Sequence, residues 1–155
     1  MTVKQPNSRH CFASGLENPI GLRLHIYETE AGVVESSYIA PEHFQSYPGV
    51  LHGGIVATLI DEIASRARLG GDPANPRFAF TGKLEIKYRK NVPIGKPLKI
   101  IGKAGESKGK IAKAWAGIYD AETNELLAEG TIMLVDVPPN QLSGLDELGW
   151  KVYPE

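Results

Sequence analysis

The stretch GGIVATLIDEIASRARLGG, residues 53–71, decides the architecture. Ile55, Val56, Leu59, Ile60, Ile63, Ala64 and Ala67 recur at helical spacing and form one apolar stripe. Gly70 and Gly71 stop the pattern and Pro73 and Pro76 follow, so the sequence predicts a helix over 53–69. No second segment carries a helical period of that length. On both sides the period is two. LRLHIYE (22–28) and GVVESSYIA (32–40) alternate as strands do, with Gly32 in the gap between them. After the helix, FAFTGKLEIKYRK (78–90) puts Phe78, Phe80, Leu84, Ile86 and Tyr88 on one face. Thr81, Lys83, Glu85, Lys87 and Arg89 fall on the other. Strands over 97–106, 110–120 and 125–136 follow, separated by the turn signals SKGK (107–110) and AETNE (121–125).

The predicted order is β-β-α-β-β-β-β. Four consecutive strands joined by short turns must be largely antiparallel, and one helix can cover one face of that sheet. The class is α+β, a long central helix wrapped by a curved antiparallel sheet. The first twenty residues read as irregular. The tail through Pro154 carries Leu142, Leu145, Leu148 and Trp150 and is expected to dock on the surface.

At 155 residues the chain is expected to form a single domain, 1–155, with a core of its own. It is 42% apolar and carries a net charge of −1. No run of 18 apolar residues predicts a membrane span, and MTVKQPNSRHCFASG at the N-terminus lacks the apolar stretch of a signal peptide. Cys11, the one cysteine, cannot form an intramolecular disulfide. A cytoplasmic protein is expected. Residues 83–113 hold ten Lys/Arg against two acids. Such an excess attracts anionic ligands, and it equally describes solvated strand faces. No nucleic-acid module accompanies it. Neither a GxSxG elbow nor a P-loop nor GxGxxG occurs, and the four histidines lack zinc-ligand spacing.

The helix start is unusual. Val50, Leu51 and His52 precede Gly53 and Gly54, so no Ser, Thr, Asp or Asn supplies the usual capping oxygen. The first amides and the positive end of the dipole are open to another oxygen, such as a carbonyl becoming an oxyanion. A tight turn whose amides bind water fits the same residues, and His52 can hold that turn or polarise a substrate. In mid-helix, Glu62 has Arg66 four residues ahead, the favourable orientation for a surface ion pair. Asp61 has no such partner and is the better candidate for a nucleophile or a general base on water. Nine residues of helix rise about 13–14 Å. If the acid and the amides serve one reaction, Asp61 must therefore meet the helix start of a second subunit, in a symmetric dimer with two composite sites.

His52-Gly-Gly followed by Leu-Ile-Asp-Glu, with nine residues from His52 to Asp61, resembles the hotdog-fold acyl-CoA thioesterases of the PaaI-like group. CFASGLENPIGLRL (11–24) and HFQSYPGVLHGG (43–54) are similar to further segments of that family, with Ser14 where the upstream motif has a second cysteine. The resemblance covers roughly 10–137 and leaves a tail over 138–155. It implies the hotdog fold and metal-free hydrolysis of an acyl-CoA to coenzyme A and a carboxylic acid, with no cofactor beyond the coenzyme A of the substrate. Dimers that pair into tetramers are frequent in the family. Carried over, Gly53 supplies the N–H that polarises the carbonyl, Asp61 is nucleophile or base, and Thr81 orients Asp61 or the water. His52 positions the glycine turn or the thioester. Ser46 stands where several relatives hold water with an Asn, and Gln45 is beside it. With Gly54 and Glu62 they are the expected substrate contacts, and Lys83, Lys87, Arg89 and Lys90 are candidates for the coenzyme A phosphates. The family also suggests two other outcomes: an acyl-CoA binding protein without turnover, and a hydratase or dehydratase that keeps the thioester bond.

Overall fold

The apolar stripe becomes a 17-residue helix, α1 (Gly53–Leu69), in the computed structural model, which describes residues 2–72, 74–138, 141, 147 and 149–155. Val56, Leu59, Ile60, Ile63, Ala64 and Ala67 are fully buried. Burying each side chain of Val, Leu or Ile size contributes about 1.5–3 kcal/mol, which fixes this face of α1 against the sheet. The sheet has seven strands: β1 (Val3–Lys4), β2 (Tyr27–Glu30), β3 (Val33–Ile39), β4 (Ala79–Tyr88), β5 (Pro97–Lys108), β6 (Ile111–Asp120) and β7 (Leu126–Asp136). Their order is β1-β2-β3-β5-β6-β7-β4, and every neighbouring pair is antiparallel. The expected α+β architecture, one helix on one face of a curved antiparallel sheet, is therefore what the chain forms. α1 crosses the middle of the sheet so closely that β5 and β7 place glycine beneath it. A Cβ at Gly102 would lie 2.5 Å from the Ile63 carbonyl oxygen, and one at Gly130 would lie 2.8 Å from Ile60 Cγ2.

Three expectations need correction. The strand expected over 22–28 pairs only from Tyr27 onward. Leu22, Leu24 and Ile26 are buried as the alternation requires, but Arg23 adopts φ 55°, which breaks an extended ladder. The backbone there bonds instead to the N-terminal segment, Leu22 N–H to the Phe12 oxygen and Leu24 N–H to the Ala13 oxygen. That segment is not wholly irregular either: Val3 and Lys4 pair with Glu28 and Tyr27 and add a short strand before the others.

The third correction concerns β4. Its register against β7 shifts between Thr81 and Lys83, leaving Gly82 as an extra residue. A bulge of one residue exchanges the two faces of a strand. Thr81 stands opposite buried Leu134, just as Leu84 stands opposite buried Ile132. Thr81 thus shares the helix side with Leu84, Ile86 and Tyr88, while Phe80, before the bulge, is 59% exposed at the rim of the cavity that Thr81 lines.

Of the tail residues expected to dock, Leu142, Leu145 and Leu148 lie outside the described residues. Trp150 packs edge-on against Phe78 with ring centroids 5.2 Å apart. Lys151 exchanges both backbone hydrogen bonds with Asn7, at 2.8 and 3.1 Å.

Candidate active site

The bulge delivers Thr81 to α1, where its hydroxyl donates to Asp61 Oδ1 at 2.7 Å. Asp61 is half-buried, and burial raises its proton affinity above that of an ordinary carboxylate. The Thr81 hydrogen bond opposes this by favouring the ion, and the neighbouring Glu62 charge adds to the rise. Glu62 is committed elsewhere. Its Oε1 accepts from Arg66 Nε at 2.9 Å. This is not the surface pair the spacing suggested, because Arg66 is 5% exposed. The N-terminal segment covers it: Arg66 Nη1 donates to the Pro6 carbonyl at 2.6 Å and Nη2 to Ser14 Oγ at 3.0 Å. Trp150 stacks on the guanidinium at 5.1 Å. The two adjacent acids are thereby separated into one held by a cation and one facing a hydroxyl.

At the other end of the helix side of β4, the Tyr88 hydroxyl donates to the Gly53 carbonyl at 2.7 Å. His52 caps the helix where no side-chain oxygen is present: its Nδ1 accepts from Gly54 N–H at 2.9 Å. The imidazole therefore takes one of the amides that the sequence left open. Ile55 and Val56 N–H both reach the His52 carbonyl. Among the described residues no acceptor takes the Gly53 N–H, so one donor stands at the positive end of the dipole. The loop before it is held in place by its own bonds. His52 N–H donates to the Phe44 carbonyl, Ser46 N–H to the Val50 carbonyl, and Gly49 N–H to Gln45 Oε1 at 3.1 Å.

Asp61, Glu62 and Thr81 line a cavity of about 320 Å³, with Ser65, Arg66 and Leu69 of α1, Arg77 and Phe78 just before β4, Ala79 and Phe80 at its start, and Ser8, Cys11, Ser14 and Trp150. His52, Gly53, Gly54, Gln45 and Ser46 are not part of its wall. Within one chain the structure brings Asp61 to Thr81 and Tyr88 to Gly53, but it does not bring Asp61 to Gly53. The basic candidates lie on β4 and just beyond it. Lys83 pairs with Glu85, Arg89 with Glu129 and Lys90 with Glu125. Lys87 makes no ion pair among the described residues. Among the described residues no three His, Cys, Asp or Glu side chains converge as a metal site, and no helix is long and apolar enough to cross a membrane.

A profile of the thioesterase superfamily matches residues 48–127, more than half of the chain, from the loop before α1 to the start of β7. The chain belongs to the thioesterase superfamily. Its helix-on-sheet architecture is the hotdog fold of these proteins: the crystal structure of protein RHA08564, a thioesterase superfamily protein, superposes with a TM-score of 0.74 at 25% identity, covering 83% of this chain and 61% of that one. The bovine acyl-coenzyme A thioesterase THEM4 is 24% identical over 133 residues, 85% of this chain and 53% of THEM4. A 76-residue stretch is 34% identical to an ATP-dependent lipid A-core flippase of Haemophilus influenzae, covering 47% of this chain and 12% of that protein. The chain thus spans about half of the thioesterase relative's length and far less of the flippase's.

Proposed function

We propose that this thioesterase-superfamily chain hydrolyses acyl-CoA thioesters in composite sites formed by two copies of itself, with the PaaI-like group as its nearest setting. The observation that carries the reading is the run of β4 relative to α1. Thr81 meets Asp61 and, seven residues on, Tyr88 meets Gly53, so β4 runs antiparallel to the helix. β4 is also one of the sheet's two edge strands, ten residues long and open to antiparallel pairing with an identical strand. A two-fold axis beside the middle of β4, midway between the paired strands, reverses the second copy. Its Tyr88–Gly53 end then lies beside the Thr81–Asp61 end of the first, and the separation that one helix cannot bridge is closed.

In such a site Asp61 serves as general base. One of its oxygens is oriented by Thr81, and burial has made it a better proton acceptor. Water attacks the thioester carbonyl as its proton passes to Asp61. The carbonyl oxygen takes the negative charge and is met by the Gly53 N–H of the second copy. Collapse breaks the C–S bond, and the departing thiolate recovers the proton from Asp61. The products are a carboxylic acid and coenzyme A, and no step calls on a metal. Coenzyme A as the leaving thiol is supported by the named activity of bovine THEM4 and by the basic face of β4, where Lys87 makes no ion pair among the described residues.

Two variants test this together. Gly53 is the first helical residue, a position where proline is well accepted, and His52 before it is already extended, at φ −55° and ψ 132°. Gly53→Pro therefore removes the N–H alone. Thiol release from a panel of acyl-CoAs should fall to near background in Gly53→Pro and in Asp61→Asn. Co-folding the two dead variants should restore about a quarter of wild-type turnover, because half of the dimers are mixed and each mixed dimer holds one intact site of two. No recovery in the mixture would place both groups in one chain. Binding without thiol release across the whole panel would leave a binding protein or a hydratase instead.

A further inference from the structure

The cavity beside Asp61 has a wall that neither α1 nor β4 supplies. Ser8, Cys11 and Ser14 come from the N-terminal segment and Trp150 from the tail. These two segments are tied to each other by the Asn7–Lys151 backbone pair and to α1 by Arg66. Gln5 adds bonds to the Arg66 and Gly70 carbonyls, both at 3.1 Å. The strap is a built part of the molecule. Asp61, Ser65 and Leu69 lie one above another along the helix, so the cavity runs from the reacting carboxylate toward the C-terminal end of α1. Leu69 stands about 12 Å from Asp61 along the axis, and Trp150 stacks on the Arg66 guanidinium between these two ends of the cavity wall. At about 320 Å³ the cavity is near the lower end of ligand pockets, which run from about 300 to 1,000 Å³.

Resting on the hydrolytic reading above, we propose that Trp150 is the end wall of the acyl pocket and sets the longest acyl group that reaches Asp61, selecting short acyl chains. The indole is suited to this. Phe78 holds it by its edge and Arg66 by its face. Its Nε1 is buried and meets no acceptor among the described residues, so a smaller ring there severs none of their hydrogen bonds. Removing the indole enlarges the pocket at the end that Leu69 lines.

The experiment compares straight-chain acyl-CoAs of increasing length against wild type, Trp150→Phe and Trp150→Ala. Wild type should favour short chains. Trp150→Ala should raise kcat/KM for chains a few carbons beyond the wild-type optimum, relative to that optimum, by about tenfold or more, the scale of one or two methylenes that a pocket admits or rejects. Trp150→Phe should shift the profile less. A profile unchanged in both variants overturns the assignment. A second measurement does not depend on either variant folding. Trp115, the other tryptophan, lies away from this cavity, so Trp115→Phe leaves Trp150 as the only indole. Its emission should change on binding a non-hydrolysable alkyl thioether of coenzyme A and stay unchanged with coenzyme A alone. Turnover with a silent Trp150 removes the wall and keeps the hydrolase. A Trp150 response without thiol release keeps the wall and removes hydrolysis.

Discussion

At one end of β4 a hydroxyl reaches a carboxylate, and at the other a phenol reaches a backbone carbonyl. Thr81 and Tyr88 sit seven residues apart on the same face, yet they act on different things. Thr81 acts on a charge, since its hydrogen bond restrains the rise in proton affinity that burial imposes on Asp61. Tyr88 acts on geometry, since it holds the carbonyl of the residue whose N–H is open at the helix start. Their origins differ too. Tyr88 arrives by ordinary alternation, and Thr81 arrives only because Gly82 is inserted in the register. The bond that would tune the proposed base lies where the strand breaks its own rule, and the bond that holds the helix start lies where it keeps it.

The largest expected effects fall on the groups these two residues serve. Asp61→Asn should lower kcat by about 10³-fold, within the usual range for losing a general base, while Gly53→Pro should cost about 10²–10³-fold as the loss of an oxyanion donor does. Thermal unfolding of Gly53→Pro close to wild type would show that only the donor was lost. If Gly53→Pro retains full activity, the Tyr88 end of β4 has no part in the chemistry.

Thr81→Val should come next, at about ten- to a hundredfold in kcat/KM, the worth of a hydrogen bond to a charged group. It carries a pH signature. The Thr81 bond lowers the Asp61 pKa, so without it Asp61 stays protonated to a higher pH. The acid limb of the kcat/KM profile must then move upward in pH, and a limb that stays put or moves down would break the assignment. Tyr88→Phe removes a neutral hydrogen bond that touches no reacting atom. About a three- to tenfold loss in kcat is expected, with KM and the acid limb unchanged. An acid limb that also moved in this variant would erase the distinction between the two ends.

How far the site was legible in the sequence follows from the same contrast. The helix was plain because stripe, stop signals and length agreed, and α1 spans the residues they specify. The strands after it were legible from alternation, whereas β2 was overextended because Arg23, a residue with no conformational signal, takes a positive φ. Asp61 was separated from Glu62 by the missing i+4 partner, and the Glu62–Arg66 pair exists. The burial of that pair was hidden, since it depends on Pro6, Ser14 and Trp150, which are far away in sequence. Unbroken alternation puts Thr81 on the wrong face of β4. The signal was present, because an isolated glycine inside a strand pattern marks a bulge. Alternation puts Tyr88 on the apolar face of its strand, and no local pattern reveals that its hydroxyl seeks the helix start.

Glu62 offers the control for Asp61. Glu62→Gln should leave kcat within about threefold and cost on the order of 1–3 kcal/mol of stability, because it weakens one charged bond to a buried guanidinium that keeps its Pro6 and Ser14 acceptors. Chemical denaturation measures the one and thiol release the other. A large loss of turnover at unchanged stability would exchange the roles of the two acids.

The smallest effect is the stability of Asp61→Asn, and its sign is set by the direction of the Asp61 shift. In the folded chain Asp61 binds its proton more tightly than its ordinary value of 3.8 allows in the unfolded chain. Between the two values the folded state holds the extra proton, so the Asp61 contribution is fully present below about pH 3.8 and is lost as pH rises through the folded value. At pH 7 the ionised, half-buried carboxylate therefore works against folding, and neutral Asn relieves it. Asp61→Asn should melt higher than wild type at pH 7, and the difference should shrink as the pH falls toward 4. Glu62→Gln, which removes a charge that has a buried cation to meet, should melt lower at pH 7. Two neighbouring acid-to-amide changes would then move stability in opposite directions, and activity opposite to stability only at Asp61, the trade expected where a charge is kept for chemistry rather than for the fold.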